Sequence, residues 1–353
     1  MRKKLLVITT GFKNTGAPIA LLNLLKVLCQ TDTYDISVIG YENGDLYKVY
    51  ESIPCVSDIT IVESLPCTED FRKHLQNDFD VVFLNTAVVY PFLFYFQNTS
   101  IPVFWWVHEA WQMIEDNVAS FPHPVLLSSN FRLMASSDGS AKALTEHYSY
   151  TFESLPVPVF KPEQPLKEVS INLPSDKVIF VIPSAYTYIK GQDILLKAIA
   201  AMPSEYIKRS YFVFCGYSLD AQAEYKSLIY EMASRLSNVL LMDNLPQNDL
   251  YSLISKCHCV IAPSRIDTIP MTAVEGMMLG KLALVSNDTG ISYNIQDCRN
   301  GFVFKDHDEL VKRLLLIIND VDALDNIRTK GQDIYNNIFS PSAVSDICKK
   351  LGL

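Results

Sequence analysis

The chain has 353 residues, more than one hydrophobic core usually holds, so two domains are expected. Its net charge of −9 argues against a nucleic-acid binder held by phosphate contacts, while leaving room for a local basic patch at a membrane surface. Apolar residues make up 49% of the chain, ordinary for a large buried core, and no run reaches the ~20 apolar residues that span a bilayer.

The basic-then-apolar start, MRKKLLVITTGF, is too short in its apolar part for a signal peptide. Residues 4–10 read as a buried strand and 11–17 as a turn-rich loop. Pro18 is expected to open a helix through Leu28, with Leu21, Leu22, Leu24, Leu25 and Leu28 on one apolar face. A strand feeding a loop and a helix is how nucleotide-binding α/β domains begin. Gly11 and Gly16 have the spacing of a P-loop, but Ala17-Pro18 stands where Lys-Ser/Thr is required, and GxGxxG is absent. Further strands are expected at 37–39, 59–62 and 80–84, the last ending in Asn85-Thr86. The aromatic stretch 90–96 reads as a core helix, with an apolar face presented to lipid as the alternative. Residues 103–107 form a strand with His108-Glu109 at its end, where parallel sheets bind ligands. By itself a histidine beside tryptophan is more often structural. Strands at 125–128 and 132–136 and a helix at 140–147 complete the first half.

Five prolines between 155 and 174 mark an interdomain connection with little regular structure. A buried strand at 178–183 restarts the pattern. Lys190-Gly191 stands just ahead of a helix starting near Gln192, where a flexible cation meets a phosphate. Strands at 211–214 and 239–242 alternate with helices at 222–235 and 249–256. The eight cysteines are scattered without a CxxC pair, and Cys257-His258-Cys259 lacks the second half of a zinc site. Reduced, buried thiols of a cytosolic protein are expected.

The most informative stretch is 259–290. A strand at 259–263 leads to a polar turn, and Pro270 opens a helix over 271–279 that Gly280 stops. A strand at 282–286 and the turn Asn287-Asp288-Thr289-Gly290 follow. The first amides of that helix make an anion site, and Asp267 and Glu275 flank it. Carboxylates beside a phosphate site make sense if they grip the hydroxyls of a sugar or ribose. Each also has a plainer reading: Thr272–Glu275 fits a capping box, and Asp267 fits a loop or N-cap residue. A strand at 302–304 and helices at 309–318 and 342–352 end the chain. Asp-x-Asp occurs at 78/80, 306/308 and 320/322, each at an element boundary where aspartate is a common turn residue, so no metal is expected.

The acidic spacing resembles the signature of family-4 glycosyltransferases, a retaining group with the GT-B fold. Their motif is Glu-x7-Glu, followed by a small-residue helix, Gly, a strand and a Gly-containing turn. Here Asp267 takes the place of the first Glu, and Thr268-Ile269-Pro270 replaces a Gly-rich turn. The resemblance covers most of the chain and is strongest over 178–304. It implies an α/β GT-B fold of two Rossmann-like, doubly wound parallel-sheet domains facing a cleft. These would be an acceptor-side domain at 1–160, a nucleotide-sugar donor domain at 175–335, and a helix at 336–353 that crosses back.

The implied chemistry is transfer of a sugar, with retained configuration, from a nucleotide-diphosphate sugar to a glycan or lipid-linked acceptor in polysaccharide biosynthesis. No cofactor and no metal is implied. The place would be the cytoplasm, with peripheral contact at the inner face of the plasma membrane left open. Lys190 would meet the diphosphate, Glu275 the ribose and Asp267 the donor sugar, with His108 facing that sugar and Glu109 beside it. Backbone at Gly16 and Ala17 would approach the donor, and Asn244 and Leu245 would contact the base. Met271, Thr272, Thr289 and Gly290 complete the implied donor set. Arg265 would replace an arginine the family often has five positions before the lysine, where this chain has Ala185. Two other readings stay open: a GT-B-like partner subunit that binds without transferring, and a sugar-nucleotide epimerase of the same fold.

Overall fold

The computed structural model describes residues 2–63, 69–118, 128–162, 165–166, 171–218 and 222–353. The chain divides into two compact units, Met1–Pro158 with Pro341–Leu353, and Val159–Ser340.

The first unit is built on seven strands: β1 (Lys3–Gly11), β2 (Tyr34–Glu42), β3 (Val56–Ile61), β4 (Val81–Asn85), β5 (Val103–Val107), β6 (Phe131–Ala135) and β7 (Phe152–Ser154). They lie in the order β3-β2-β1-β4-β5-β6-β7, every neighbouring pair parallel. Helices cover a parallel sheet on both faces, so its central strands read as unbroken apolar runs. Leu5 to Ile8, all of β4 and all of β5 are buried accordingly. Each such Val, Leu or Ile contributes about 1.5–3 kcal/mol on leaving water. The two buried indoles keep their donors satisfied, Trp105 on the Thr86 carbonyl at 2.8 Å and Trp106 on that of Leu155 at 2.9 Å.

Three expectations are corrected or bounded here. The first helix runs Gly16–Cys29, so Pro18 is its third residue and not its opener. Amides of the first helical turn have no partner inside the helix, so a proline is tolerated there too. The aromatic stretch is a 3-10 turn, Ala87–Phe92, followed by a single helical turn, Leu93–Phe96; Phe92, Leu93 and Phe96 enter the core, and Phe94 faces out. The strand expected at 125–128 lies outside the described residues apart from Ser128, which is not in a strand.

The second unit has six strands: β8 (Val178–Pro183), β9 (Ser210–Cys215), β10 (Val239–Met242), β11 (Cys259–Ala262), β12 (Leu282–Ser286) and β13 (Phe302–Phe304). Their order is β10-β9-β8-β11-β12-β13, again parallel throughout. In each sheet the winding reverses once, between β1 and β4 in the first and between β8 and β11 in the second. Ligands of doubly wound sheets bind at that reversal, outside the carboxyl ends of the strands. The segment entering the second unit is extended and buried at Val157 and Val159. Val159 donates to the Phe339 carbonyl at 2.8 Å and accepts from the Tyr335 hydroxyl at 3.0 Å.

Two glycines allow the close approaches at the second reversal. Gly191 has φ +68°, and a Cβ there would stand 2.0 Å from the Pro263 carbonyl oxygen. It therefore lets the loop after β8 lie against the loop after β11. Gly276 lets the Met271–Met278 helix rest on β11, since a Cβ would meet Val260 Cγ2 at 2.7 Å. Gly191→Ala combines a left-handed backbone with a clash, and is expected to destabilise the second unit by about 3 kcal/mol. Scanning calorimetry would read this as a lowered thermal midpoint; an unchanged transition would mean the two loops do not pack as described.

Candidate functional site

The reversal in the second unit brings together residues 77 positions apart. After β8 the chain makes a 3-10 turn, Tyr188–Lys190, and Ile189 accepts a 2.8 Å hydrogen bond from the Arg265 amide. Lys190 Nζ then lies 2.6 Å from Asp267 Oδ2, with side-chain exposures of 26% and 9%, so this ion pair is only lightly screened by solvent. Ser264 Oγ adds a 3.4 Å contact to the same oxygen. The backbone of Asp267 is fixed as well: it forms a parallel bridge with Thr289 and accepts from the Gly290 amide at 2.8 Å. Thr289 turns its hydroxyl to the Ser286 carbonyl at 2.7 Å. Thr289 and the Gly290 amide thus brace the loop that carries Asp267.

Arg265 is a correction. Its two terminal nitrogens meet the Asp193 carboxylate at 2.8 Å each, it donates to the Tyr188 carbonyl at 2.7 Å, and it stacks 3.9 Å above the Tyr188 ring. Burial raises the Asp193 pKa, but hydrogen bonds from Arg265 and Tyr225 outweigh it and hold the carboxyl at about 2. A guanidinium so bound is a brace between two loops, and does not supply the cation missing at Ala185.

Glu275 is buried, five residues into a helix whose N-cap is Pro270 and which no side chain caps. The capping-box reading therefore fails. Its Oε1 accepts from Gln247 Nε2 at 2.7 Å and from the Tyr251 hydroxyl at 3.3 Å. Its Oε2 is buried with no hydrogen-bond partner. Burial pushes the carboxyl up to about 7, against the pull of the two donors. Orphaned buried oxygens are rare, and a charged one is costly. Gln247 and Tyr251 share one face of the Gln247–Lys256 helix at i, i+4 spacing. They escaped sequence reasoning because nothing in a chain pattern ties them to an acid 28 and 24 residues later. Asn244, exposed, and Leu245, half-buried, occupy the turn into that helix. Met271 and Thr272, half-buried, form the uncapped start of the next one.

The first unit gathers a second set at its own reversal. Gly16 is exposed, and an added Cβ there would meet nothing within 4 Å. Asn85, at the end of β4, donates to the Ala17 carbonyl at 3.3 Å and to Thr9 Oγ1 at 3.1 Å. Its amide oxygen then faces His108 Nε2 at 2.8 Å. A carbonyl can only accept, so the amide orientation follows, and His108 carries its proton on Nε2. Burial lowers the His108 pKa to about 3, so the ring is neutral at physiological pH. Glu109 Oε2 accepts from the Ala87 and His108 amides at 2.9 and 3.0 Å. Burial raises its pKa, those bonds oppose it, and that oxygen clamps the loops after β4 and β5. Asn85 was also missed. Its signal was a polar residue closing an otherwise apolar strand.

Among the described residues no three His, Cys, Asp or Glu gather as a metal site, and no helix is long and apolar enough to cross a membrane. Of the Asp-x-Asp aspartates, Asp306 caps a helix by accepting from the Glu309 amide at 2.9 Å, and Asp80 accepts from the Lys4 amide at 2.8 Å.

Two wholly parallel, doubly wound α/β units define the GT-B fold. The solved structure of HepE from Anabaena with UDP and glucose superposes with a TM-score of 0.76 at 17% identity, covering 99% of this chain and 100% of that one. Sucrose-phosphate synthase from Thermosynechococcus elongatus gives 0.74 at 15% identity, covering 99% and 98%. At these identities the likeness is one of fold. Within that fold, residues 163–333 match the family model described as Glycosyl transferases group 1. An uncharacterized glycosyltransferase of Methanocaldococcus jannaschii, MJ1178, is 25% identical over 153 residues, 43% of this chain and 41% of that relative's length.

Proposed function

We propose that the chain transfers a glycosyl group from a nucleotide-diphosphate sugar, with retention of configuration, as the resemblance to family-4 glycosyltransferases implies. The observation that carries this is the buried Glu275 carboxylate with one oxygen unpartnered, beside an uncapped helix start in a Glycosyl transferases group 1 domain. A vicinal diol of a ribose would give that oxygen the donors it lacks. Lys190 and the amides of Met271 and Thr272 would face the diphosphate, and fixed positive potential there stabilises a leaving group that gains charge. Asp267 would hold Lys190 in place and orient the sugar. His108, held neutral by burial, would face the donor sugar. No side chain is assigned as nucleophile; the donor phosphate would take the proton of the acceptor hydroxyl. No metal is assigned a role.

The donor we favour is a UDP-sugar, since HepE, which shares this fold, is solved with UDP, with UDP and glucose, and with UDP-glucose. A glycan or lipid-linked acceptor, a role in polysaccharide biosynthesis, and a cytoplasmic or membrane-peripheral place belong to the same proposal. The test is titration calorimetry with a panel of nucleotide sugars, followed by mass spectrometry of donor consumed with and without acceptor glycans. Binding plus glycosyl transfer or donor hydrolysis is expected. Binding without consumption would favour the partner-subunit reading, an epimerised donor the epimerase, and no binding at all would end the proposal.

A further inference from the structure

The second unit has a cavity at the other end of its sheet, where β11 and β12 begin. Its volume is ≈ 410 Å³, and its lining includes Lys256, His258, Gly280, Lys281, Asp322 and Arg328. Three cations and one carboxylate converge there, in a chain whose net charge is −9. Lys256 ends the Gln247–Lys256 helix and Lys281 follows the Met271–Met278 helix, positions where helix carbonyls favour a cation. That accounts for each lysine separately. It does not account for their meeting Arg328, which comes from a third helix, Asp325–Ile334.

The Arg328 guanidinium is held by Asp325 and by the Val321 carbonyl, with 20% of its side chain exposed. Lys281 is half-buried and forms no salt bridge among the described residues. Burial lowers its pKa, Cys257 opposes that shift, and the nearby Arg328 lowers it further. His258 accepts the Ile179 amide on Nδ1 at 2.9 Å, which leaves Nε2–H as a donor on a ring that lines the cavity. Burial, Lys281 and Arg328 keep that ring neutral, so it adds a donor without adding charge.

We propose that this cavity binds a phosphate group, carried either by a small soluble phosphate or by the headgroup of an anionic lipid. Several N–H donors converging from separate elements suit a compact oxyanion. Asp322 favours phosphate over sulfate, because at neutral pH hydrogen phosphate keeps one hydroxyl to donate to a carboxylate and sulfate keeps none. The site follows from residues unrelated to the donor set, so it stands or falls apart from the proposed transfer.

The experiment is calorimetric titration of inorganic phosphate and of sulfate into the full chain and into Lys281→Gln. Lys281→Gln removes the charge and keeps a polar side chain of similar reach; circular dichroism and the thermal midpoint check that it folds. Lys281→Gln is expected to weaken phosphate binding about tenfold or more, and sulfate to bind more weakly than phosphate. No phosphate binding by the wild type, or equal affinity in wild type and Lys281→Gln, would overturn the proposal. Co-sedimentation with phosphatidylcholine vesicles, with or without phosphatidic acid, separates the sources. Lys281-dependent sedimentation only with phosphatidic acid identifies a headgroup site; phosphate binding without sedimentation identifies a soluble ligand.

Discussion

Glu275→Gln is expected to make the protein more stable and nucleotide binding weaker at the same pH. The carboxyl ionises at about 7 when folded, against 4.5 as its ordinary value. Its proton is therefore held more tightly by the folded chain. Below pH 4.5 both states are protonated and the group is neutral in its effect. As pH rises from there to about 7, the unfolded chain releases the proton and the folded chain does not, so stability falls, levelling off above about 7 at a loss of ~3 kcal/mol. Glutamine keeps an acceptor for Gln247 and Tyr251 but carries no charge, so above pH 7 the variant should be more stable by about 1–3 kcal/mol. Below about pH 5 the two proteins should converge. Nucleotide binding should move the other way, because hydroxyl donors prefer the ionised acid. Affinity of the wild type should drop as pH falls through about 7, up to tenfold per pH unit, and the variant should bind at least tenfold more weakly at pH 8 with no such profile. Urea unfolding and calorimetry at several pH values check both halves. A variant less stable than wild type at pH 8 would show that Oε2 has a partner without any ligand.

Removing Lys190 should affect rate and stability through different routes, and a double variant separates them. Loss of a cation aimed at the leaving diphosphate is expected to cut transfer about 10²–10³-fold. It also strands the Asp267 carboxylate, 9% exposed, without its partner at 2.6 Å. That is expected to destabilise the second unit by about 1–3 kcal/mol, since an unpaired buried charge costs more than a pair returns. In Lys190→Ala/Asp267→Ala the stranded charge is gone, so stability should recover while transfer stays low. If stability did not recover, the pair would be weak in the folded protein. If transfer recovered with it, Lys190 would have no part in the chemistry.

Much of the fold could be read from the chain because parallel strands covered on both faces leave unbroken apolar runs. Val178–Pro183 and Val239–Met242 are found where those runs lie. The edges were harder. β3 is largely exposed and only its second half has a recognisable pattern, β7 is three residues long, and Asp325–Ile334 is a polar helix with Gly331 inside it. In the candidate site, chain spacing pointed to acids and cations at the ends of strands. Their partners were not legible, because pairing across loops depends on the fold. Asp267 reads as a sugar ligand in sequence and sits on Lys190 in space; Arg265 reads as a solvated or phosphate-facing cation and is clasped by Asp193. Thr272 to Glu275 has the spacing of a cap, yet the helix had already started at Met271.

The hydrogen bond from Val159 to Phe339 joins the two ends of the second unit, and Tyr335 fastens them again. A segment whose two ends are stitched together has the topology of an insertion, spliced into a host chain that continues at Pro341. Residues 159–340 are thus a natural unit for excision, with no loose terminus to close. Expressed alone, that fragment would let nucleotide recognition be measured free of every residue in the host.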